Sequence, residues 1–145
     1  MELKIKKVRE CANIPTRATE GSAGMDLYAC IDSTVIIEPG QRVTIPTGIA
    51  VSLSNNEYAV FIFARSGLGI KHGISLSNGV GVVDSDYRGE ICVGLINQSD
   101  KSYAISPNDR IAQMVVMPVC IPNVTLTDNL NTTLRSNGGF GSTGK

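Results

Sequence analysis

The sequence predicts an all-β domain of the sandwich, jelly-roll or barrel type. Three observations carry that expectation. The apolar runs are short and rich in β-branched residues, clusters of turn residues separate them at regular intervals, and no long stretch has helical periodicity.

In chain order, the runs read as strands are Ile5–Val8, Val35–Ile37, Val43–Val51, Tyr58–Phe63, Val80–Val83, Ile91–Ile96 and Ile111–Met117. Between them lie Glu38-Pro39-Gly40, Ser54-Asn55-Asn56, Asn97–Lys101 and Ser106-Pro107-Asn108-Asp109. Gly and Pro set special backbone angles there, and Asn, Asp and Ser bond to their own backbone, so these are turns with a mechanism. Arg65–Lys71 is the one segment read as a helical turn. After Pro122 the character changes: residues 123–145 are polar, and Arg135–Lys145 holds four glycines. Such a tail buries too little surface to fold alone; it is disordered, or it orders on a ligand or a neighbouring subunit.

A chain of 145 residues with 42% hydrophobic content is one domain with a real core. Lys plus Arg and Asp plus Glu number 13 each, so the net charge is zero. That balance argues against a nucleic-acid polymer as partner, which needs clustered cations, but leaves room for a small anion held by two or three arginines. No apolar run approaches membrane-spanning length, and Met1–Lys7 has no apolar signal region, so a cytoplasmic protein is expected. Cys11, Cys30, Cys92 and Cys120 are widely spaced without a C-x-x-C pair and are expected as reduced thiols. The single histidine, His72, has no nucleophile or metal-ligand partner nearby in sequence and is expected to be structural or on the surface.

Five segments carry chemistry. Ala64–Gly69 sets a fixed charge (Arg65), a hydroxyl (Ser66) and an unhindered amide (Gly67) at the opening of a turn, a combination suited to phosphate; the alternative is a plain strand exit. Asn78–Ile91 reads as a β-hairpin with a polar centre. Asn78 offers both a donor and an acceptor for a base edge, Tyr87 a flat ring to lie under a sugar, and Asp84 and Asp86 two carboxylates, one of them suited to general-base work; alternatively, these residues only make the turn. Ala23–Ala29 places Asp26 in an apolar context, where a carboxylate must face a metal's water shell, cap a turn or pair with an arginine. In Asp109–Met114, strand alternation puts Arg110, Ala112 and Met114 on one side and Ile111 and Gln113 on the other, with Gln113 unusual in so apolar a strand. Arg135–Lys145 offers one cation, one aromatic and many free amides, either as a flap over a ligand or as a disordered tail.

Taken together and in this order, the five segments resemble the motifs of the trimeric deoxyuridine triphosphatase (dUTPase) family, from Ala23 to Gly144. Ala64 and Ser136 depart from the commonest pattern without removing a functional group. The resemblance implies a distorted jelly roll, with residues 1–145 as one domain whose C-terminal arm, about 123–145, closes a neighbouring active site in a homotrimer. It implies hydrolysis of dUTP to dUMP and pyrophosphate with Mg²⁺, which keeps uracil out of DNA and supplies dUMP for dTMP synthesis. Asn78, Val82, Val83 and Cys92 would read the uracil edge, and Tyr87 would pack on the deoxyribose and exclude a 2′-hydroxyl. Arg65, Ser66, Gly67, Gln113 and Arg135 would hold the phosphates. Phe140 would cover the base, while Gly141, Ser142 and Thr143 would seal the site. Asp84 would be the catalytic carboxylate that activates water, Asp86 would shape the turn, and Asp26 would hold the water shell of the Mg²⁺. Two other readings compete: a dUTP-binding regulatory protein without turnover, and a dCTP deaminase of the same fold.

Overall fold

The computed structural model describes residues 2–139. In chain order it contains β1 (Leu3–Lys7), β2 (Met25–Tyr28), β3 (Val35–Ile37), β4 (Arg42–Pro46), β5 (Ile49–Leu53), β6 (Tyr58–Phe63), α1 (Ser66–His72), β7 (Ile74–Leu76), β8 (Gly81–Val83), β9 (Cys92–Asn97), β10 (Tyr103–Ile105) and β11 (Arg110–Pro118). The strands form four small antiparallel sheets, ordered β1-β5, β10-β3, β2-β11-β6-β8 and β4-β9-β7. The fold is an all-β jelly roll, as the strand spacing predicts.

The sheets share one core. Leu27, Ile45, Val60, Ile74, Leu95 and Met114 come from six different strands and are each 4% exposed or less, in one contiguous cluster. Removing one such Leu or Ile side chain to Ala costs about 2–5 kcal/mol, because the lost burial adds to the cavity left behind. Asn97 is fully buried yet satisfied. Its Nδ2 donates to the carbonyls of Ile37 and Lys101 at 2.8 and 2.7 Å, and its Oδ1 accepts from the Ser99 amide and hydroxyl at 2.9 and 2.8 Å. A buried side-chain amide with both ends bonded holds the Asn97–Lys101 turn against β3.

Four expectations need correction. The Val43–Val51 run is two strands, broken where Gly48 takes φ +71° and turns the chain from β4 into β5. Two apolar segments around a left-handed glycine look continuous when only hydropathy is followed. The Asn78–Ile91 segment is not a ladder of two paired arms: β8 pairs with β6, and β9 pairs with β4 and β7. The alternation along β11 breaks at a bulge between Arg110 and Ala112, so Ile111 and Ala112 are both buried. Cys11 and Cys30, expected as thiols, form a disulfide, and Cys92 and Cys120 are the free cysteines among the described residues.

β2, β7 and β10 were not anticipated, being only three or four residues long. The helical turn lies at Ser66–His72, as the sequence indicates. Beyond Pro118 the described chain forms neither helix nor strand, and Val124, Leu126, Leu130 and Leu134 are almost wholly exposed. No described helix is long and apolar enough to cross a membrane.

Candidate active site

The separation of β8 from β9 creates the site. β8 is the edge of its sheet, so one side of its backbone is bonded to β6 and the other is left open. Facing it is the start of β9, where Cys92 pairs with Pro46 of β4, while β7 joins only from Leu95 onward. Between the two strands lies a cavity of about 340 Å³. Asn78, Val82, Val83, Asp84, Tyr87 and Cys92 all line it, so six residues singled out from the sequence converge on one space. An open strand edge offers alternating N–H and C=O groups, the pattern that matches the edge of a planar base.

The turn from Asp84 to Tyr87 closes the mouth, with the Tyr87 amide donating to the Asp84 carbonyl at 3.2 Å. Asp84 also lines a second cavity beside Ser85, Asp86 and Val119, so this residue borders two spaces. The Tyr87 ring is 46% exposed, and its hydroxyl donates to the Glu90 carbonyl at 3.1 Å. Partial burial pushes the Cys92 thiol above its usual range, with the Glu90 carboxylate adding to the effect. The sulfur therefore stays protonated and brings no negative charge to the cavity.

A second group gathers where β6 runs into α1. Asp26 on β2 accepts from Arg65 Nε at 2.9 Å through Oδ1 and from Arg110 Nη1 at 3.2 Å through Oδ2. Arg65 Nη1 also donates to the Arg110 carbonyl at 3.1 Å. Of the three readings open for Asp26, the pairing with arginine is the one observed. Gln113 Nε2 donates to the Ala64 carbonyl at 3.0 Å, tying β11 to the residue before Arg65. Ser66 is exposed at the helix start, and nothing lies within 4 Å of where a Cβ on Gly67 would stand, so that backbone is open to a ligand. The second group thus presents two guanidinium groups, a hydroxyl and free amide space around one shared carboxylate, an arrangement suited to oxyanions.

None of Asp26, Arg65, Ser66, Gly67, Gln113 and Arg135 lines the cavity between β8 and β9. Arg135 is exposed in the C-terminal segment, its Nε donating to the Gly138 carbonyl at 2.9 Å. Phe140, Gly141, Ser142 and Thr143 lie outside the described residues.

Sequence reasoning missed Arg110 as a partner of Asp26. The two are 84 residues apart, and only the β2–β11 pairing brings them together. It also gave no role to Glu90, which lines the cavity and is bound by Arg9. No local signal announces either contact.

For a divalent cation the donor set is partial. Among the described residues no three His, Cys, Asp or Glu side chains gather as a metal site, and both Asp26 oxygens already accept from arginines. The residues fit an ion carried on a ligand's phosphates, held through water, better than one caged by protein.

The family model described as dUTPase matches residues 10–144. A deoxyuridine 5′-triphosphate nucleotidohydrolase of Desulfitobacterium hafniense is 51% identical over 99% of this chain and 97% of its own length. One from Neisseria meningitidis is 47% identical over 99% and 96%. Among solved structures, the dUTPase of Staphylococcus bacteriophage 80alpha with dUpNHpp superposes with a TM-score of 0.89 at 26% identity, covering 99% of each chain. A dUTPase of phage phi11, described with a structural Mg(II) ion, shares the fold at a TM-score of 0.81 and 22% identity, over 91% of this chain and 100% of its own.

Proposed function

The chain belongs to the dUTPase family, and on that premise we propose that it hydrolyses dUTP to dUMP and pyrophosphate, with the cavity between β8 and β9 as its uracil and deoxyribose pocket. The observation that carries this reading is the convergence of Asn78, Val82, Val83, Asp84, Tyr87 and Cys92 on that one cavity.

The uracil edge lies between the open side of β8 and the start of β9. Asn78 supplies a donor and an acceptor for the base edge, while the fixed N–H and C=O groups on the open side of β8, which cannot turn over, are what can favour the uracil imide over the cytosine amino edge. The narrow space between the strands excludes the thymine methyl. Tyr87 packs its open face on the deoxyribose, where a 2′-hydroxyl has no room. Asp84, at the mouth, orients a water and takes its proton, so that the water oxygen bonds to the α-phosphorus as the bond to the bridging oxygen breaks. Pyrophosphate leaves on that oxygen, and no covalent intermediate with the protein forms. Arg65, Ser66, the Gly67 amide, Gln113 and Arg135 bind the phosphate oxygens and stabilise charge on the leaving group. Asp26 sets the Arg65 guanidinium and would hold Mg²⁺ only through water. When bound, Mg²⁺ neutralises phosphate charge and so favours release of pyrophosphate.

Among the described residues, none of the phosphate-binding group lines the pocket between β8 and β9, which supports a homotrimer whose sites are shared between subunits. The exposed Val124, Leu126, Leu130 and Leu134 support the same assembly, since an arm with that much open apolar surface gains by docking on a neighbour. In this arrangement residues 1–145 act as one domain, and the arm from about 123 brings Arg135, Phe140, Gly141, Ser142 and Thr143 over a neighbouring site. The test is a pair of variants: Asp84→Asn retains binding of a non-hydrolysable dUTP analogue and loses turnover, while Asn78→Ala loses binding. Full turnover in Asp84→Asn removes Asp84 as the base.

A further inference from the structure

Arg9 precedes the matched family segment, which begins at residue 10, and belongs to none of the five chemical segments. Its half-exposed side chain is nonetheless tied to a residue that lines the pocket. Its Nε and Nη2 grip both carboxylate oxygens of Glu90, at 2.7 and 2.9 Å, a two-pronged contact that sets orientation as well as distance. The same Glu90 carboxylate accepts the Gly48 amide at 2.9 Å, and the Glu90 main-chain carbonyl accepts the Tyr87 hydroxyl at 3.1 Å. Glu90 itself lines the pocket. The Tyr87 ring folds back on Gly89, where a Cβ would overlap the ring oxygen and carbons, so the ring rests on bare backbone directly before Glu90.

The other end of this linkage is equally well anchored. The amides of Val8 and Arg9 both donate to the Gly48 carbonyl, at 2.8 and 3.3 Å. Two residues on, Cys11 is bonded to Cys30, and Ala12 is buried at 2% exposure. On the far side of Glu90, the Thr47 hydroxyl donates to the Ile91 carbonyl at 2.6 Å. Glu90 is therefore held from both flanks, and Tyr87 is held by Glu90. A half-exposed tyrosine rejects an extra hydroxyl only if it cannot yield, since a shift of an ångström makes room for one oxygen.

We propose that Arg9, acting through Glu90, is a positioning residue that holds Tyr87 as a rigid wall and thereby sets how strongly the pocket rejects a 2′-hydroxyl. The inference rests on the reading that Tyr87 faces the deoxyribose. The guanidinium of Arg9 also holds the Glu90 carboxyl below its usual range, so the pair stays charged near neutral pH.

The test is kcat/KM for dUTP and for UTP in the wild type and in Arg9→Ala, Arg9→Lys and Tyr87→Phe, with melting curves on each protein. Arg9→Ala is expected to lower the dUTP-to-UTP ratio about tenfold, chiefly by improving UTP. Arg9→Lys keeps the charge without the fork and is expected to lose about a third of that effect on a logarithmic scale, which tests the geometry even where Arg9→Ala folds poorly. Tyr87→Phe keeps the ring, loses its tether to Glu90 and is expected to match Arg9→Ala. A purely structural role lowers both substrates alike, leaves the ratio unchanged and overturns the proposal. A ratio that falls in Tyr87→Phe but holds in both Arg9 variants overturns the role of Arg9 alone. A ratio unchanged in all three variants overturns the tether to Glu90 and the role of Arg9 with it, and a ratio also unchanged in Tyr87→Ala, which removes the ring, overturns the reading of Tyr87 itself.

Discussion

Arg65 Nε meets Asp26 Oδ1 at 2.9 Å across 39 residues of sequence, and the Asp26 side chain is only 13% exposed. With Arg110 on its other oxygen, this carboxylate holds two cations in fixed relation. Asp26→Asn leaves the two guanidinium groups facing a neutral amide. It is expected to lower kcat/KM for dUTP about ten- to a hundredfold, in line with losing charge-assisted hydrogen bonds at a partly buried site. Steady-state kinetics on the folded variant checks this, and an effect under twofold argues that Asp26 does not position Arg65.

Asp84 lines the pocket and also the adjoining cavity, which is where the proposed mechanism needs a base. Asp84→Asn is expected to reduce kcat by about 10²–10⁴, the usual contribution of a general base, while the Kd for a non-hydrolysable dUTP analogue changes little. Calorimetry alongside single-turnover kinetics separates the two effects.

The Cys11–Cys30 bond spans 19 residues and joins an exposed cysteine to a buried one. Restricting the unfolded chain over a loop of that size contributes about 3 kcal/mol. Dithiothreitol, or Cys11→Ser, is expected to lower the melting temperature by roughly 10 °C. Thermal melts with and without reductant read this out, and Cys92→Ser is expected to respond to reductant as the wild type does.

The Glu90 carboxyl is held below its ordinary value of 4.5, first by the hydrogen bond from Arg9. A carboxyl with a depressed folded-state value adds stability that is complete above its unfolded value. That stability is lost as the pH falls through the folded value. The contribution of Arg9 and Glu90 is therefore expected to be constant through neutral pH and to fade below about pH 4.5. Denaturant midpoints for the wild type and Glu90→Gln, measured from pH 7 to pH 3, should converge at the acid end.

Much of this architecture is written locally in the sequence. The Tyr58–Phe63 and Val35–Ile37 runs are strands with the expected bounds, because β-branched and aromatic residues fill pleated, half-buried surfaces. The residues of the Asn78–Ile91 segment share a cavity because they are close in sequence around one tight turn. What was hidden is non-local. The grip of Arg9 on Glu90 spans 81 residues, the pairing of Arg110 with Asp26 spans 84, and neither follows from spacing. The Cys11–Cys30 bond was hidden for the same reason: the two cysteines, 19 residues apart, meet beside a distant residue, Gly48, where a Cβ would strike the Cys30 sulfur. The expected hairpin failed on pairing alone. Each arm is a strand, but each finds its partners in a different sheet, and the gap between them became the pocket.

Product analysis is the plainest test of selective dUTP hydrolysis. The protein is incubated with Mg²⁺ and, in parallel, with dUTP, UTP, dCTP and dTTP, and nucleotides, pyrophosphate and ammonia are quantified. The structure leads to dUMP and pyrophosphate in equal amounts from dUTP, with the other three nucleotides turned over far more slowly. Ammonia from dCTP, or saturable dUTP binding by folded protein with no product, would contradict it.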